Sequence, residues 1–146
     1  MEPLSRCEFD SDKLILKFEA TFSANLDMVS SVIDRMMGIV QTMGCAEGKE
    51  FEIETSLREA LVNAVVHGCG NDPNKKVQCC VACDESKGLL IVVRDPGPGF
   101  QPDSLPSPIL AENIFSSHGR GIFMINQLMD EVNFKRGGTE IHMKKK

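Results

Sequence analysis

Two absences narrow what this 146-residue chain can do. It has no excess of basic charge: 16 Lys and Arg stand against 21 Asp and Glu, a formal net charge of −5. A dedicated nucleic-acid binder needs a basic face, and none is implied. It also has no apolar run approaching a membrane span, and Met1 to Cys7 hold no apolar core of signal-peptide length. A cytoplasmic protein with no direct nucleic-acid partner and no membrane association is expected. The short tail Lys144-Lys145-Lys146 reads as a solvated terminus. There is no internal repeat, and no Gly-x-x-x-x-Gly-Lys-Ser/Thr phosphate loop occurs. With 42% hydrophobic and 25% charged residues, the composition is that of a soluble globular protein, long enough for a real core.

The six cysteines fit a reducing compartment. Cys79-Cys80-Val81-Ala82-Cys83 invites a zinc reading, but its surroundings read as a strand from Lys76 to Asp84. In a strand Cys79 and Cys83 would share a face about 13 Å apart, too far for one ion, and Cys80 would point the other way. Buried thiols acting as small hydrophobes are the stronger reading.

Residues 1–12 read as an irregular lead-in, and 13–146 as one domain. Leu14, Leu16 and Phe18 alternate with Ile15, Lys17 and Glu19 through to Phe22, a first strand. Ser23 or Asn25 can cap the helix that follows to about Met43, where Leu26, Val29, Ile33, Met36, Met37 and Val40 keep helical spacing. A polar link precedes a second helix from Glu54 to Gly68. A turn-rich loop, Cys69 to Asn74, leads to strands at Lys76–Asp84 and Leu89–Arg94, joined as a hairpin. Residues 101–118 form a long Pro- and Ser-rich segment of the kind that serves as a lid or binding loop. His118-Gly119-Arg120-Gly121 opens a helix from Ile122 to Met129, and Val132–Lys135 with Thr139–Lys144 close the chain as a strand pair. Helices and strands mix without strict alternation. The expected class is α+β, a two-layer sandwich whose mostly antiparallel, mixed sheet is covered by helices on one face.

The second helix carries the chemistry. Leu57, Ala60, Leu61, Ala64 and Val65 form a wide apolar face, which Val62 and Val66 extend round most of the helix. Against it Glu59, Asn63 and His67 stand at i, i+4 and i+8 on one stripe. A carboxylate and a carboxamide on a buried helix require partners, and an ion or polar ligand would supply them. The plainer alternative is that the stripe faces solvent. Asp95-Pro96-Gly97-Pro98-Gly99 at the exit of a strand is either an ordinary turn or a place where backbone approaches a ligand. Gly119-Arg120-Gly121 before a helix is either a plain entrance or an anion site at the positive end of the dipole.

In order and spacing, Glu59-x-x-x-Asn63, Asp95-x-Gly97-x-Gly99, a long lid, Gly119-x-Gly121 and Gly138-Thr139 resemble the GHKL ATPase superfamily. The stretches Arg58 to Gly68 and Gly119 to Ile125, with Met129-Asp130-Glu131-Val132, are similar to its anti-sigma-factor serine/threonine kinase branch. The resemblance covers about residues 10–146. It implies the Bergerat, histidine-kinase-like ATPase fold, and ATP and Mg²⁺ as cofactors. It implies a protein that sequesters a sigma factor and phosphorylates a small STAS-type anti-anti-sigma antagonist, working as a homodimer. The helix at Leu26–Val40 or the first strand would offer the dimer surface. Carried over residue by residue, Asn63 would hold the metal, and Asp95 would accept from the adenine amino group. Gly97 and Gly99 would let backbone approach the base and hinge the lid. Gly119 and Gly121 would offer amides to the phosphates, Thr139 would help at the base, and Arg120 is a candidate phosphate or partner contact. Glu59 would be the general base, and His67 a packed structural residue. Pro96 and Pro98 should stiffen the turn, and the lid is poor in basic residues. The alternative is a non-kinase ATP-binding module that switches partner binding with nucleotide state.

Overall fold

A computed structural model of the protein describes residues 14–44, 47–84, 88–97 and 117–146, with the backbone alone at 14–16 and 117–119. The expected lead-in, the lid up to residue 116, Gly99 and the hairpin turn at 85–87 lie outside the described residues, while Ser117 and His118 of the expected lid belong to a helix.

Five strands form one sheet: β1 (Leu14–Ser23), β2 (Lys76–Asp84), β3 (Gly88–Arg94), β4 (Glu131–Lys135) and β5 (Glu140–Lys145). Their spatial order is β1-β2-β3-β5-β4. Every pairing is antiparallel, so the expected mixed character is absent from the described strands. Register follows from alternation, because a slip of one residue would turn every apolar side chain to the wrong face. Phe18 stands opposite Val81, Cys79 opposite Val93, Ile91 opposite Met143, and Ile141 opposite Phe134, all on the face that meets the core.

Three helices cover that face: α1 (Leu26–Thr42), α2 (Glu50–Asn63) and α3 (Ser117–Leu128). Asn25 caps α1, its side-chain oxygen accepting from the Asp27 amide at 2.9 Å. Val29, Ile33, Met36, Met37 and Val40 are buried, so the apolar face of α1 is spent on the chain's own core rather than left for a second subunit. Leu26, expected among them, is 46% exposed at the first helical position.

Helix α2 begins at Glu50, about one turn earlier than the sequence reading places it. Lys49 supplies no capping side chain. Glu50 and Glu52 instead set negative charge at the positive end of the dipole, and Ile53 adds a buried rung below Leu57. Burial is confined to one broad face, Ile53, Leu57, Ala60, Leu61, Ala64 and Val65, while Val62 and Val66 are half-buried. The last stretch, Ala64–Gly68, widens into a π turn, with the Cys69 amide donating to the Ala64 carbonyl at 2.9 Å. Such turns are frequent at functional sites. Helix α3 packs on α2 and buries Ile122 and Ile125.

The cysteines follow the sequence reading only in part. Cys69 and Cys79 are buried free thiols, and burial raises both; the Cys69 thiol sits at about 11. Cys79 donates to the Met36 sulfur at 3.2 Å inside the core. Cys80 and Cys83, by contrast, are disulfide-bonded, which corrects the expectation of thiols at these two positions. A disulfide sulfur has no thiolate to offer a metal.

Candidate functional site

A cavity of about 270 Å³ opens between α2, its π turn, the start of α3 and the ends of β3 and β5. Apolar walls come from Ala60, Ala64, Val93, Ile122, Phe134 and Ile141, and polar groups converge from Asn63, His67, Asp95 and Thr139. An apolar slot with a few placed polar groups is the usual form of a small-molecule site.

Asp95 stands at the exit of β3, where its amide donates to the Thr139 carbonyl at 3.0 Å, continuing the β3–β5 ladder by one bond. One of its carboxylate oxygens accepts the Gly97 amide at 2.8 Å. Burial pushes the carboxyl up from 3.8 to about 6, with the Gly97 hydrogen bond and the charge of Lys75 pulling the other way. A partly desolvated acceptor on the wall of an apolar slot is suited to a donor on a ligand.

Thr139 arrives beside Asp95 through a tight reversal. Arg136, Gly137 and Gly138 all have positive φ, at 53°, 70° and 90°, a run of left-handed residues that only glycines make cheap. The Thr139 hydroxyl donates to the Arg136 carbonyl at 2.9 Å, so it is left to act toward a ligand as an acceptor.

Glu59 and Asn63, half-buried on α2, are brought together with α3 by one glycine. A Cβ at Gly121 would lie 2.7 Å from Glu59 Oε2 and 3.3 Å from Asn63 Nδ2. A methyl group there would push the Glu59 carboxylate aside, so the helix start lies directly over the polar stripe. The helix begins at Ser117 rather than at Ile122, which makes Gly119 its third residue and Gly121 its fifth. Gly119 keeps one of the free amides of a helix start, whereas the Gly121 amide falls to the helical ladder. Close approach, not amide donation, is what Gly121 provides. Arg120 is exposed between them.

His67 departs from the packed role expected of it. It is exposed at the cavity rim, and partial desolvation lowers its pKa from the ordinary value of 6.5. The widened turn carries it off the straight i, i+4, i+8 stripe. Gly97 lies in the turn after Asp95, and Gly99 lies outside the described residues. Asn63, Asp95 and Thr139 thus line one cavity; Glu59 and Gly121 adjoin Asn63, Gly97 adjoins Asp95, and Gly119 stands two residues before Gly121 at the start of α3. Sequence reading missed Lys75, whose charge acts on both Asp95 and Cys69. It also gave no role to Gly68, which ends the helical pattern and the Arg58 to Gly68 stretch and lines the cavity.

The histidine kinase-like ATPase domain model matches residues 22–145. Among curated relatives, the anti-sigma F factor of Geobacillus stearothermophilus is 33% identical over 104 residues, covering 64% of this chain and 67% of that protein. That of Oceanobacillus iheyensis is 32% identical over 101 residues, with the same coverage of 64% and 67%. That of Clostridium novyi is 28% identical over 102 residues, covering 65% and 69%. With a match across nearly the whole described fold and a cavity built from its α2, β3 and β5 elements, this chain belongs to the histidine kinase-like ATPase domain family.

Proposed function

We propose that the protein is an ATP-binding anti-sigma factor with serine/threonine kinase activity, which holds a sigma factor and phosphorylates a STAS-type antagonist. The observation that carries this reading is the two-ended site. Asp95 offers an acceptor to a base in the apolar slot, and a helix start is pressed onto Glu59 and Asn63 where a triphosphate would extend.

The residues fit a magnesium ion. Asn63 contributes an uncharged amide oxygen, a hard donor for a hard cation, beside the Glu59 carboxylate. When bound, Mg²⁺ would neutralise charge on the phosphate oxygens. Asn63 would hold it, and the free amides at the start of α3, with Arg120 nearby, would orient the phosphates. Thr139 and Asp95 would fix the base, and Gly97 would let backbone pass close to it.

Glu59 acts as the base in this scheme. As the antagonist's serine oxygen bonds to the γ-phosphorus, its proton passes to the Glu59 carboxylate. The bond from that phosphorus to the β–γ bridging oxygen breaks, and ADP leaves with the electron pair. Positioning and charge neutralisation supply most of the rate. A homodimer in the cytoplasm is part of the proposal, with the outer edge of β1, rather than the apolar face of α1, as the surface for it.

The test is phosphoryl transfer from labelled ATP to a purified antagonist by wild type and Glu59→Ala. Transfer lost while ATP affinity persists is the expected result. Undiminished transfer would remove Glu59 from the mechanism, and an antagonist or sigma factor bound equally with and without ATP would favour a switching module.

A further inference from the structure

Gly68 lies beneath Asp95 in a way that helix termination does not explain. A Cβ at this position would stand 2.3 Å from the Asp95 Cγ and 2.5 Å from each of its carboxylate oxygens. The carboxylate therefore rests on the bare Cα of Gly68. On the same spot, a Cβ at Gly97 would come within 2.0 Å of the Gly68 carbonyl oxygen and 2.8 Å of Asp95 Oδ1. Glycine at position 68 is not required by its backbone, because its φ is not among the positive ones. An alanine could adopt the same conformation, and the three atoms nearest its methyl group would all belong to the Asp95 carboxylate.

The π turn sets this contact. Ala64–Gly68 closes with the Cys69 amide on the Ala64 carbonyl, and the Asn71 amide donates to the Val65 carbonyl at 2.9 Å. These two bonds hold the Gly68 backbone against the strand exit. The Asp95 carboxylate is then gripped from two sides, by the Gly97 amide on one oxygen and by the Gly68 Cα on its flank. Asp95 and Gly68 both line the cavity.

We propose that Gly68 is a specificity-determining positioning residue: its missing side chain lets the Asp95 carboxylate lie flat against the π turn, aimed at the 6-amino group of adenine. The inference rests on the nucleotide reading above. A methyl group at position 68 rotates or lifts the carboxylate, and the donor on the base loses its acceptor although Asp95 is still present.

The experiment compares the affinities of ATP and purine riboside triphosphate, which lacks the 6-amino group, by calorimetric titration with Mg²⁺. Four proteins are used: wild type, Gly68→Ala, Asp95→Ala and Gly68→Ala/Asp95→Ala. Wild type should favour ATP at least tenfold. Gly68→Ala should bind both triphosphates alike, as Asp95→Ala does, and the double variant should be no worse than Asp95→Ala alone. A residue that merely kept the fold intact would lower both affinities without changing their ratio. Retention of the wild-type ratio in Gly68→Ala, with Asp95→Ala losing it, overturns the inference and leaves the nucleotide reading standing. No affinity for either triphosphate in wild type overturns the nucleotide reading itself. If Gly68→Ala does not fold, the double variant must fold, since the methyl takes the space the carboxylate vacates; failure of both overturns the contact.

Discussion

Asp95→Asn should make the empty protein more stable and, at the same time, unable to use ATP. The carboxyl is raised from 3.8 to about 6, chiefly because burial disfavours its charged form. A rise of about two pH units corresponds to a ceiling of about 3 kcal/mol that ionised Asp95 costs the folded state. The group keeps some contact with water, and screening reduces that to about 1–2 kcal/mol. Asparagine removes the charge and keeps a side-chain oxygen for the Gly97 amide, now accepted at 2.8 Å. The sign of the pH dependence follows from proton binding. Between pH 3.8 and about 6 the folded wild type holds more protons than the unfolded chain, so wild-type stability falls as pH rises through that window. The advantage of Asp95→Asn should therefore be absent near pH 3.8, grow toward pH 6 and be complete above it, at roughly 3–8 °C in melting temperature. Adding MgATP at a hundred times its dissociation constant should raise wild type by about 2.7 kcal/mol and leave the variant unmoved, so the order of the two reverses. Thermal melts from pH 4 to 8, with and without MgATP, read all of this. A variant no more stable than wild type at pH 7.5, or a gain that does not shrink toward pH 4, would refute the assignment of a desolvated carboxylate.

Two further substitutions probe the other end of the site. Asn63→Ala should weaken MgATP at least tenfold, a loss of about 1.4 kcal/mol, while leaving adenosine affinity unchanged. An equal loss for both ligands would place Asn63 at the base instead of the phosphates. Gly121→Ala puts a methyl group 2.7 Å from Glu59 Oε2, the tip of a side chain that can swing aside, and gains helix propensity, so its net cost should be no more than about 1 kcal/mol, seen as a lower urea midpoint at constant slope. Part of that loss should return in Gly121→Ala/Glu59→Ala, and full additivity would argue against the contact.

Legibility in the sequence varied with the physics of each element. Strands β2 and β3 were plain because alternation and an apolar run bounded by turns leave little choice of register, and their ends agree within a residue. The polar stripe on α2 was equally plain, since Glu59 and Asn63 sit among Leu57, Ala60 and Leu61. The start of α2 was hidden because Lys49 gives no capping signal. Two low-propensity glycines hid the start of α3, which tertiary packing against Glu59 outweighs. The π turn has no sequence signature of its own, so His67 could not be taken off its helical stripe in advance. Gly68 was read as a stop signal, because the carboxylate it accommodates lies 27 positions further along the chain.

On the reverse of the sheet from the cavity, the residues next to Asp95 and Thr139 face each other as an ion pair, Arg94 Nε to Glu140 Oε2 at 3.4 Å, with both side chains nearly buried. The two groups proposed to meet a ligand are thereby clamped at their own backbones from behind. Little ordering of this wall is left to be done at the moment of binding, so the entropy of assembling it has been met during folding. Loosening that rear clasp would weaken affinity without altering a single contact to the ligand.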